Sequence, residues 1–233
     1  MPTIIIDRFD GKNSFEQSYK LDPADVAGKT VLNTLLFIKQ TQDPTLNFTA
    51  SCRCAICGAC AVRVNGHAVL ACDTKMDDLA KTYGSDTFHI SPLANFKVIS
   101  DLVVDWEPAM ENLRKVHPGM VAKSEFSMKE GCRQNQKEFD RIIKQWDCIL
   151  CGACASECNK LSADRSDYME PFVFTHAWPT IRAPRIPCCT ASLQWRAACG
   201  TACIVRNAPA AAPRASAPPT TSPACGPWSW PRA

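Results

Sequence analysis

The stretch that decides the fold is Cys52-Arg-Cys54-Ala-Ile-Cys57-Gly-Ala-Cys60, in which four cysteines fall within nine residues. Without Cys54 its spacing is C-x4-C-x2-C, and Cys72 follows in the short run Leu-Ala-Cys-Asp. Residues 61–72 read as a β-hairpin around Asn65-Gly66, because both positions of such a turn favour positive φ. The return strand of this hairpin brings Cys72 back to the cysteine loop.

This arrangement has the plant-type spacing for a [2Fe–2S] cluster. Two irons need four thiolates, three from one tight loop and one from a returning strand. Small residues between the cysteines let backbone amides approach the sulfurs and help set the potential. The predicted ligands are Cys52, Cys57, Cys60 and Cys72, and Cys54 is surplus. Structural zinc is the competing interpretation, although zinc favours paired C-x2-C knuckles.

A second run of cysteines reads Cys148-Ile-Leu-Cys151-Gly-Ala-Cys154-Ala-Ser-Glu-Cys158. Its C-x2-C-x2-C-x3-C spacing is that of bacterial ferredoxins, in which the fourth cysteine serves the other of two clusters. Another cysteine run is therefore needed to complete both clusters. Asn159 stands where such runs usually carry proline. Cys132 stands alone and is expected to be a buried thiol.

The cysteine count also restricts the class of protein. Fifteen cysteines in 233 residues would suit a disulfide scaffold only in a small secreted chain, and the start Met-Pro-Thr-Ile-Ile-Ile-Asp lacks the features of a secretory signal. No apolar run approaches the roughly 18 residues of a membrane span. We therefore expect cluster ligation in a cytoplasmic chain, unless a partner holds it at a membrane.

The first folded region is predicted to be a small α+β unit. Residues 3–6 read as a strand, and residues 16–20 as its hairpin partner. Thr30 is a candidate N-cap for a helix whose apolar residues recur at helical spacing through Ile38. With the cysteine loop and its hairpin, these elements make up a domain over 1–106.

The second region, residues 107–178, reads as helical. Phe139, Ile142, Ile143 and Trp146 lie on one helical face just before the second cysteine run. This apolar face, together with the length of the region, argues against a free electron carrier.

Residues 179–233 differ in composition from everything before them. They hold ten of the 17 prolines and six arginines but no acidic residue, whereas residues 1–178 hold all 23 acidic residues and 20 of the 26 basic ones. Nucleic-acid binding by this basic tail is weakly supported, because the tail has no lysine, phenylalanine or tyrosine. Its composition predicts disorder.

The order of a plant-type loop followed by a bacterial-type run resembles the iron–sulfur subunit of succinate dehydrogenase and fumarate reductase. The resemblance covers residues 1 to about 178. The matching stretches are Asp43-Pro44 through Asn47-Phe48, Cys52 through Cys60, Leu70-Ala71-Cys72, Pro92-Leu93 with Asp101-Leu102-Val103, and Cys148 through Cys151.

The resemblance implies a β-grasp plant-type ferredoxin domain over 1–106 and an α-helical bacterial-ferredoxin-like domain over 107–178. It assigns Cys148, Cys151 and Cys154 to a [4Fe–4S] cluster and Cys158 to a [3Fe–4S] cluster. The family takes its remaining ligands from a later C-x5-C-x3-C-P run, which is absent here. Cys188, Cys189, Cys199, Cys203 and Cys225 do not have its spacing.

In function, the resemblance implies an electron relay between an FAD flavoprotein that interconverts succinate and fumarate and a quinone beside a cytochrome b-type membrane anchor. The chain would lie peripherally on the cytoplasmic face of the inner membrane, held by its partners. It has no Rossmann fingerprint, so substrate chemistry would belong to the partner. Alternatives are the iron–sulfur subunit of a thiol-coupled fumarate reductase, a free ferredoxin, and a zinc-stabilised binding module.

The tail itself predicts a frameshift just after the codon for Trp178. The degenerate codons of Cys199 through Ala208 can also be read in a shifted frame, in which each new codon starts on the third base of the old one. The translations that this frame permits include W-x-C-[LMV]-H-C-x-E-C, followed through Ala215 by x-x-x-C-P-x-G. The same shift across residues 185–190 permits D-P-M-L-H. The shifted reading contains the missing C-x5-C-x3-C-P run. The chain as written is therefore expected to lack ligands for its [4Fe–4S] and [3Fe–4S] clusters.

Overall fold

The structure is a computed structural model that describes residues 1–116, 118, 136–165 and 168–182. Its strands are β1 (Thr3–Phe9), β2 (Ser14–Lys20), β3 (Ala61–Val64), β4 (His67–Leu70), β5 (Thr87–Ser91), β6 (Val98–Ser100) and β7 (Val103–Val104). Its α-helices are α1 (Pro23–Val26), α2 (Val31–Thr41), α3 (Met76–Tyr83), α4 (Glu107–Lys115), α5 (Gln136–Ile142), α6 (Ala153–Ser156), α7 (Asn159–Ala163) and α8 (Pro171–Arg182). A 3₁₀ turn over Ile143–Asp147 continues α5. The α+β class is confirmed.

The first region is built on a five-stranded sheet in the order β2-β1-β5-β3-β4. The neighbours are antiparallel except for β1 and β5, which run parallel. Every second residue of β1 is buried, so Ile4 and Ile6 enter the core that α2 covers. The predicted pairing of the first strand with residues 16–20 is confirmed, and both strands are longer than expected.

Helix α2 begins where the sequence predicts. The Oγ1 atom of Thr30 accepts a hydrogen bond from the Asn33 N–H at 3.3 Å, which satisfies one of the unpaired amides of the first turn. Leu35 and Ile38 are fully buried beneath the sheet. Helix α3 and strand β5 were not predicted, because α3 is short and polar and the partner strands of β5 lie far from it along the chain.

The hairpin after the cysteine loop has the predicted turn. Asn65 and Gly66 have φ of 49° and 86°, and β3 pairs with β4 in antiparallel register from Ala61 opposite Leu70. Cys72 follows two residues after the return strand ends.

A buried ionic network joins the start of the cysteine loop to the sheet. The Nε atom of Arg8 donates to Asp101 Oδ1 at 2.8 Å, and its Nη1 atom donates to Tyr19 and Asp43. The second oxygen of Asp101 accepts the N–H of Asn47 at 2.8 Å. Because the Arg8 side chain is only 6% exposed, this network fixes where the loop leaves the core.

The second region is helical, with a smaller core formed by residues of α4, α6, α7 and α8. Trp106 joins the two cores, since its ring lies 4.9 Å from Phe96 and 6.2 Å from Phe172 between centroids. The predicted apolar face is largely uncovered within the described residues: Phe139, Ile143 and Trp146 are 36%, 41% and 52% exposed.

Some predictions fall outside the described residues. They include Cys132, the side chain of Ile142, and the tail from residue 183 onward with its five cysteines. The backbone of α8 continues to Arg182, past the expected start of the tail at 179. Over the part of the chain that the structure describes, no helix has the length and apolar character that spanning a membrane requires.

Candidate functional site

The sulfur of Cys52 lies within a cradle of backbone amides. The N–H groups of Cys54, Ile56 and Cys57 donate to its Sγ atom at 3.4, 3.4 and 3.3 Å. These hydrogen bonds favour the thiolate and lower the pKa of Cys52 to about 6. The loop is therefore arranged to hold a negatively charged sulfur near the surface.

Left-handed backbone at alternate positions aims these amides inward. Arg53 and Ala55 both have φ of 58°, and Gly58 has φ of 73°. Alternation of this kind turns successive N–H groups toward one side, which makes a concave site for anions. For Arg53 and Ala55 such a backbone is uncommon and costly, so the fold imposes it.

The hairpin places Cys72 next to Cys60. The Ala71 N–H donates to the Cys60 carbonyl at 3.1 Å, and the Ala55 N–H donates to the Cys72 sulfur at 3.3 Å. Cys60 is 4% exposed, and burial raises the pKa of its thiol to about 12. Cys72 thus faces the cysteine loop, as the predicted ligand set requires.

Cys54 is exposed, as is the predicted ligand Cys57. A hydrogen bond to Cys52 raises the pKa of its thiol, so Cys54 acts as a donor toward a predicted ligand. The loop itself offers no reason to replace any of the four predicted ligands with Cys54, and the ligand set stays a prediction.

The spread of the sulfurs fits a cluster better than a single zinc ion. Zn–S bonds of about 2.3 Å place the sulfurs of a tetrahedral site roughly 3.8 Å apart. No three sulfurs among the nine described cysteines lie within 4.8 Å of one another, and none of these cysteines is in a disulfide. Ligands that share two or more irons are spread more widely, so the donor set fits iron–sulfur clusters.

The second cysteine run is held in a more buried setting. Leu150 and Gly152 adopt φ of 54° and 77°, and they turn the chain from Cys148 into α6. Burial raises the pKa of Cys148 and Cys151, and that of Cys154 to about 12.

Cys158, the last cysteine of this run, is only 1% exposed. Its neighbour Tyr168 has a pKa raised to about 12, chiefly by burial and then by the charge of Cys158. The structure thus brings all four cysteines of the run around α6, at the inner side of the second region.

The two runs touch each other at Gly58. A Cβ atom at this position would lie 2.8 Å from the Cα and 2.9 Å from the Cβ of Cys151, and 2.9 Å from the carbonyl oxygen of Ile149. Only glycine allows this approach. The sequence gives no sign of this contact, because Gly58 and Cys151 are 93 residues apart.

Comparison with known proteins identifies the first region directly. Residues 3–111 match the family model described as a 2Fe-2S iron-sulfur cluster binding domain. The [2Fe–2S] cofactor predicted from the cysteine spacing is confirmed at the level of the domain.

Curated relatives cover both regions. The chain is 76% identical over 175 residues to the 8-methylmenaquinol:fumarate reductase iron-sulfur subunit of Wolinella succinogenes, a match that covers 75% of this chain and 55% of the relative. It is 36% identical over 163 residues to a mitochondrial succinate dehydrogenase [ubiquinone] iron-sulfur subunit of Oryza sativa subsp. japonica, covering 69% and 56% of the two chains. The chain thus matches about half the length of these relatives.

A solved structure shares the fold. A chain of the Mycobacterium smegmatis Sdh1 complex in the apo form aligns with a TM-score of 0.64 and 25% identity, over 75% of this chain and 74% of that one. The resemblance drawn from the cysteine pattern is therefore confirmed. Residues 3–111 match a 2Fe-2S iron-sulfur cluster binding domain, and the chain is similar to the iron–sulfur subunits of fumarate reductase and succinate dehydrogenase.

Proposed function

We propose that this chain is the electron-relay subunit of a fumarate reductase or succinate dehydrogenase complex. The observation that carries the proposal is the contact of its two cysteine runs at Gly58, which places one predicted ligand set against the other. A binding module would need two stable metal sites, but the sites would not have to lie close together. An electron relay needs them close together, because an electron must pass from one centre to the next.

The two cluster domains in this proposal span 1–106 and 107–178. Cys52, Cys57, Cys60 and Cys72 hold the [2Fe–2S] cluster, and the amides around Cys52 stabilise its thiolate. Bound iron–sulfur clusters supply one-electron redox chemistry, and the protein tunes it through hydrogen bonds and burial.

The second run divides its cysteines between two clusters. Cys148, Cys151 and Cys154 are the proposed ligands of a [4Fe–4S] cluster, and Cys158 of a [3Fe–4S] cluster. Cys158 is buried and the other three are half-buried, so these sulfurs are more shielded from water than the exposed thiol of Cys57 in the first run. A full set of ligands for these two clusters requires cysteines beyond this run.

The names of the relatives, as subunits of fumarate reductase and succinate dehydrogenase, support a chain that works with partners. We propose an FAD flavoprotein that binds fumarate or succinate, and a quinone site near the second domain beside a membrane anchor. The relative from Wolinella succinogenes is named for 8-methylmenaquinol, so a menaquinol is the favoured quinone class. The chain would lie peripherally at the cytoplasmic side, held there by these partners.

The test uses the complex purified from native membranes through an affinity tag on this chain. We expect a flavoprotein to co-purify, and fumarate to reoxidise the reduced [2Fe–2S] cluster, followed by its electron paramagnetic resonance (EPR) signal. A complex prepared with the Cys72→Ser chain is the control for the origin of that signal. Recovery of the chain as a monomer whose cluster does not respond to succinate or fumarate would contradict the proposal.

A further inference from the structure

Helix α6 carries Cys154 and leads directly to Cys158, and its C-terminal end is tied to the first region. The last carbonyls of a helix have no partner inside it and must be satisfied elsewhere. The Ala155 oxygen also accepts the Cys158 N–H at 3.2 Å and the Cys158 oxygen the Ser162 N–H at 3.1 Å, and the Asn95 side chain joins both of these carbonyls to that of Ser156. The Nδ2 atom of Asn95 lies 2.9 Å from the Ala155 oxygen, 3.2 Å from the Ser156 oxygen and 3.1 Å from the Cys158 oxygen.

The orientation of this carboxamide is dictated by its surroundings. With Nδ2 inward, two hydrogens serve three carbonyl oxygens. The flipped orientation would set Oδ1 against the same three oxygens, with no donor between them. Asn95 also has φ of 63°, a left-handed backbone that asparagine tolerates better than most residues.

Two further contacts hold the same segment to the first region. The N–H of Ala94 donates to the hydroxyl of Ser156 at 3.0 Å, and Ser156 is only 5% exposed. On the other side, the Ala68 N–H donates to Glu157 Oε1 at 3.0 Å. Residues of the first region therefore hold the turn that leads from α6 to Cys158.

We propose that Asn95 is a positioning residue for the second cysteine run, through which the first domain sets the geometry of the second cluster site. Its carboxamide holds the carbonyl of Cys158 in fixed relation to those of Ala155 and Ser156. The backbone of Cys158 is thereby fixed relative to Cys154, four residues earlier. This inference rests on the proposed function, because it takes these cysteines as ligands.

Loss of this clamp should weaken metal binding at the second run and leave the first cluster unchanged. Residues that orient ligands without touching the metal typically change affinity by about 10- to 100-fold. The [2Fe–2S] ligands lie on other segments, so their cluster is the internal control for folding.

The experiment titrates Co²⁺ into the full chain after anaerobic reconstitution of its [2Fe–2S] cluster. Thiolate-to-cobalt charge-transfer absorption reports binding to cysteines. The wild-type signal that is lost in a Cys148→Ser/Cys151→Ser/Cys154→Ser variant belongs to the second run. The test variants are Asn95→Asp, which keeps the shape, and Asn95→Gly, which tolerates the left-handed backbone.

Asn112→Ala is the matched control, because the Asn112 carboxamide donates to Glu170 at 3.1 Å without touching α6. We expect both Asn95 variants to lose about 10-fold or more in Co²⁺ affinity at this site, with the [2Fe–2S] EPR spectrum and potential unchanged, and Asn112→Ala to match wild type. Wild-type affinity in both Asn95 variants would overturn this inference alone. A wild-type signal that the triple serine variant retains would overturn the proposed ligands, and this inference with them.

Discussion

Cys52 in the first cysteine run and Cys154 in the second are prepared for iron in opposite ways. In the first run, hydrogen bonds donated by backbone amides lower the pKa of the accessible Cys52 thiol to about 6. In the second, burial raises the pKa of Cys154 to about 12. The amides favour the charged form of Cys52 before any metal arrives, although burial raises the pKa of Cys60 in the same run to about 12. Burial at the second run favours the neutral thiol until bound iron compensates for the buried charge.

The difference teaches that the two sites depend on metal to different degrees. The first run has its four predicted ligands on a loop and hairpin held by the core of the sheet. The second lies in a small helical region whose apolar residues Phe139, Ile143 and Trp146 are exposed, and its clusters need further cysteines. We expect folding of the second region to be coupled to cluster binding, as in other metal-dependent domains.

The strongest test of this contrast is to repair the tail. Insertion of the base expected to be missing after the Trp178 codon should restore a C-x2-C-x2-C-x3-C-P run, because the shifted reading of residues 199–215 permits one. Iron per chain should then rise from about two to about nine, the sum for one [2Fe–2S], one [4Fe–4S] and one [3Fe–4S] cluster. Iron and sulfide analysis of anaerobically purified protein measures the change.

The chain as written is the control for the repaired chain. If the source gene has an intact base count at this position, and the chain as written already holds about nine irons, the frameshift and the incomplete second site are both wrong.

The next test removes single thiols from the first run. Cys72→Ser should abolish or strongly change the EPR signal of the reduced [2Fe–2S] cluster, because Cys72 is the only predicted ligand from the hairpin. Cys54→Ser should keep the signal, since Cys54 is surplus to the C-x4-C-x2-C spacing. The reverse result would exchange the two residues in the ligand set.

The contact between the two runs can be tested at Gly58. Gly58→Ala adds a Cβ that overlaps Cys151 and also strains a left-handed backbone, so we expect a loss of about 2–4 kcal/mol in the free energy of unfolding. Gly84→Ala is the matched control, because Gly84 has φ of 60° but open space around it. Denaturant unfolding followed by circular dichroism measures both variants, and equal losses would show that the contact adds nothing.

The smallest effect is a difference in thiol reactivity within the metal-free protein. With a pKa of about 6, Cys52 is mostly thiolate at pH 7, and its thiolate fraction falls about tenfold by pH 5. The rate of its reaction with iodoacetamide should fall by the same factor, because the thiolate is the nucleophile. Cys154, with a pKa of about 12, should react far more slowly at either pH. Peptide mass spectrometry measures each rate, and similar rates for both in the folded chain would remove the contrast.

The sequence predicted the features that depend on residues close together along the chain. Cysteine spacing indicated the cluster loop, and Asn65-Gly66 located the hairpin that returns Cys72. Long-range contacts left no such signal. Neither the approach of Gly58 to Cys151 nor the three bonds of Asn95 could be predicted, because each joins segments more than 50 residues apart. Strand β5 was missed for a related reason, since its partners lie far away along the chain.

The parallel pairing of β1 with β5 has a consequence for the order of synthesis. Thr3 pairs with Thr87, so the first strand emerges from the ribosome long before its central partner. At about 5–20 residues per second, β1 waits roughly 4–17 s for β5. The cysteine loop is made within that interval, on a sheet that has not yet closed. Newly made chains therefore pass through a stage in which the cysteine loop is open to cluster delivery while the apolar face of β1 is still unprotected.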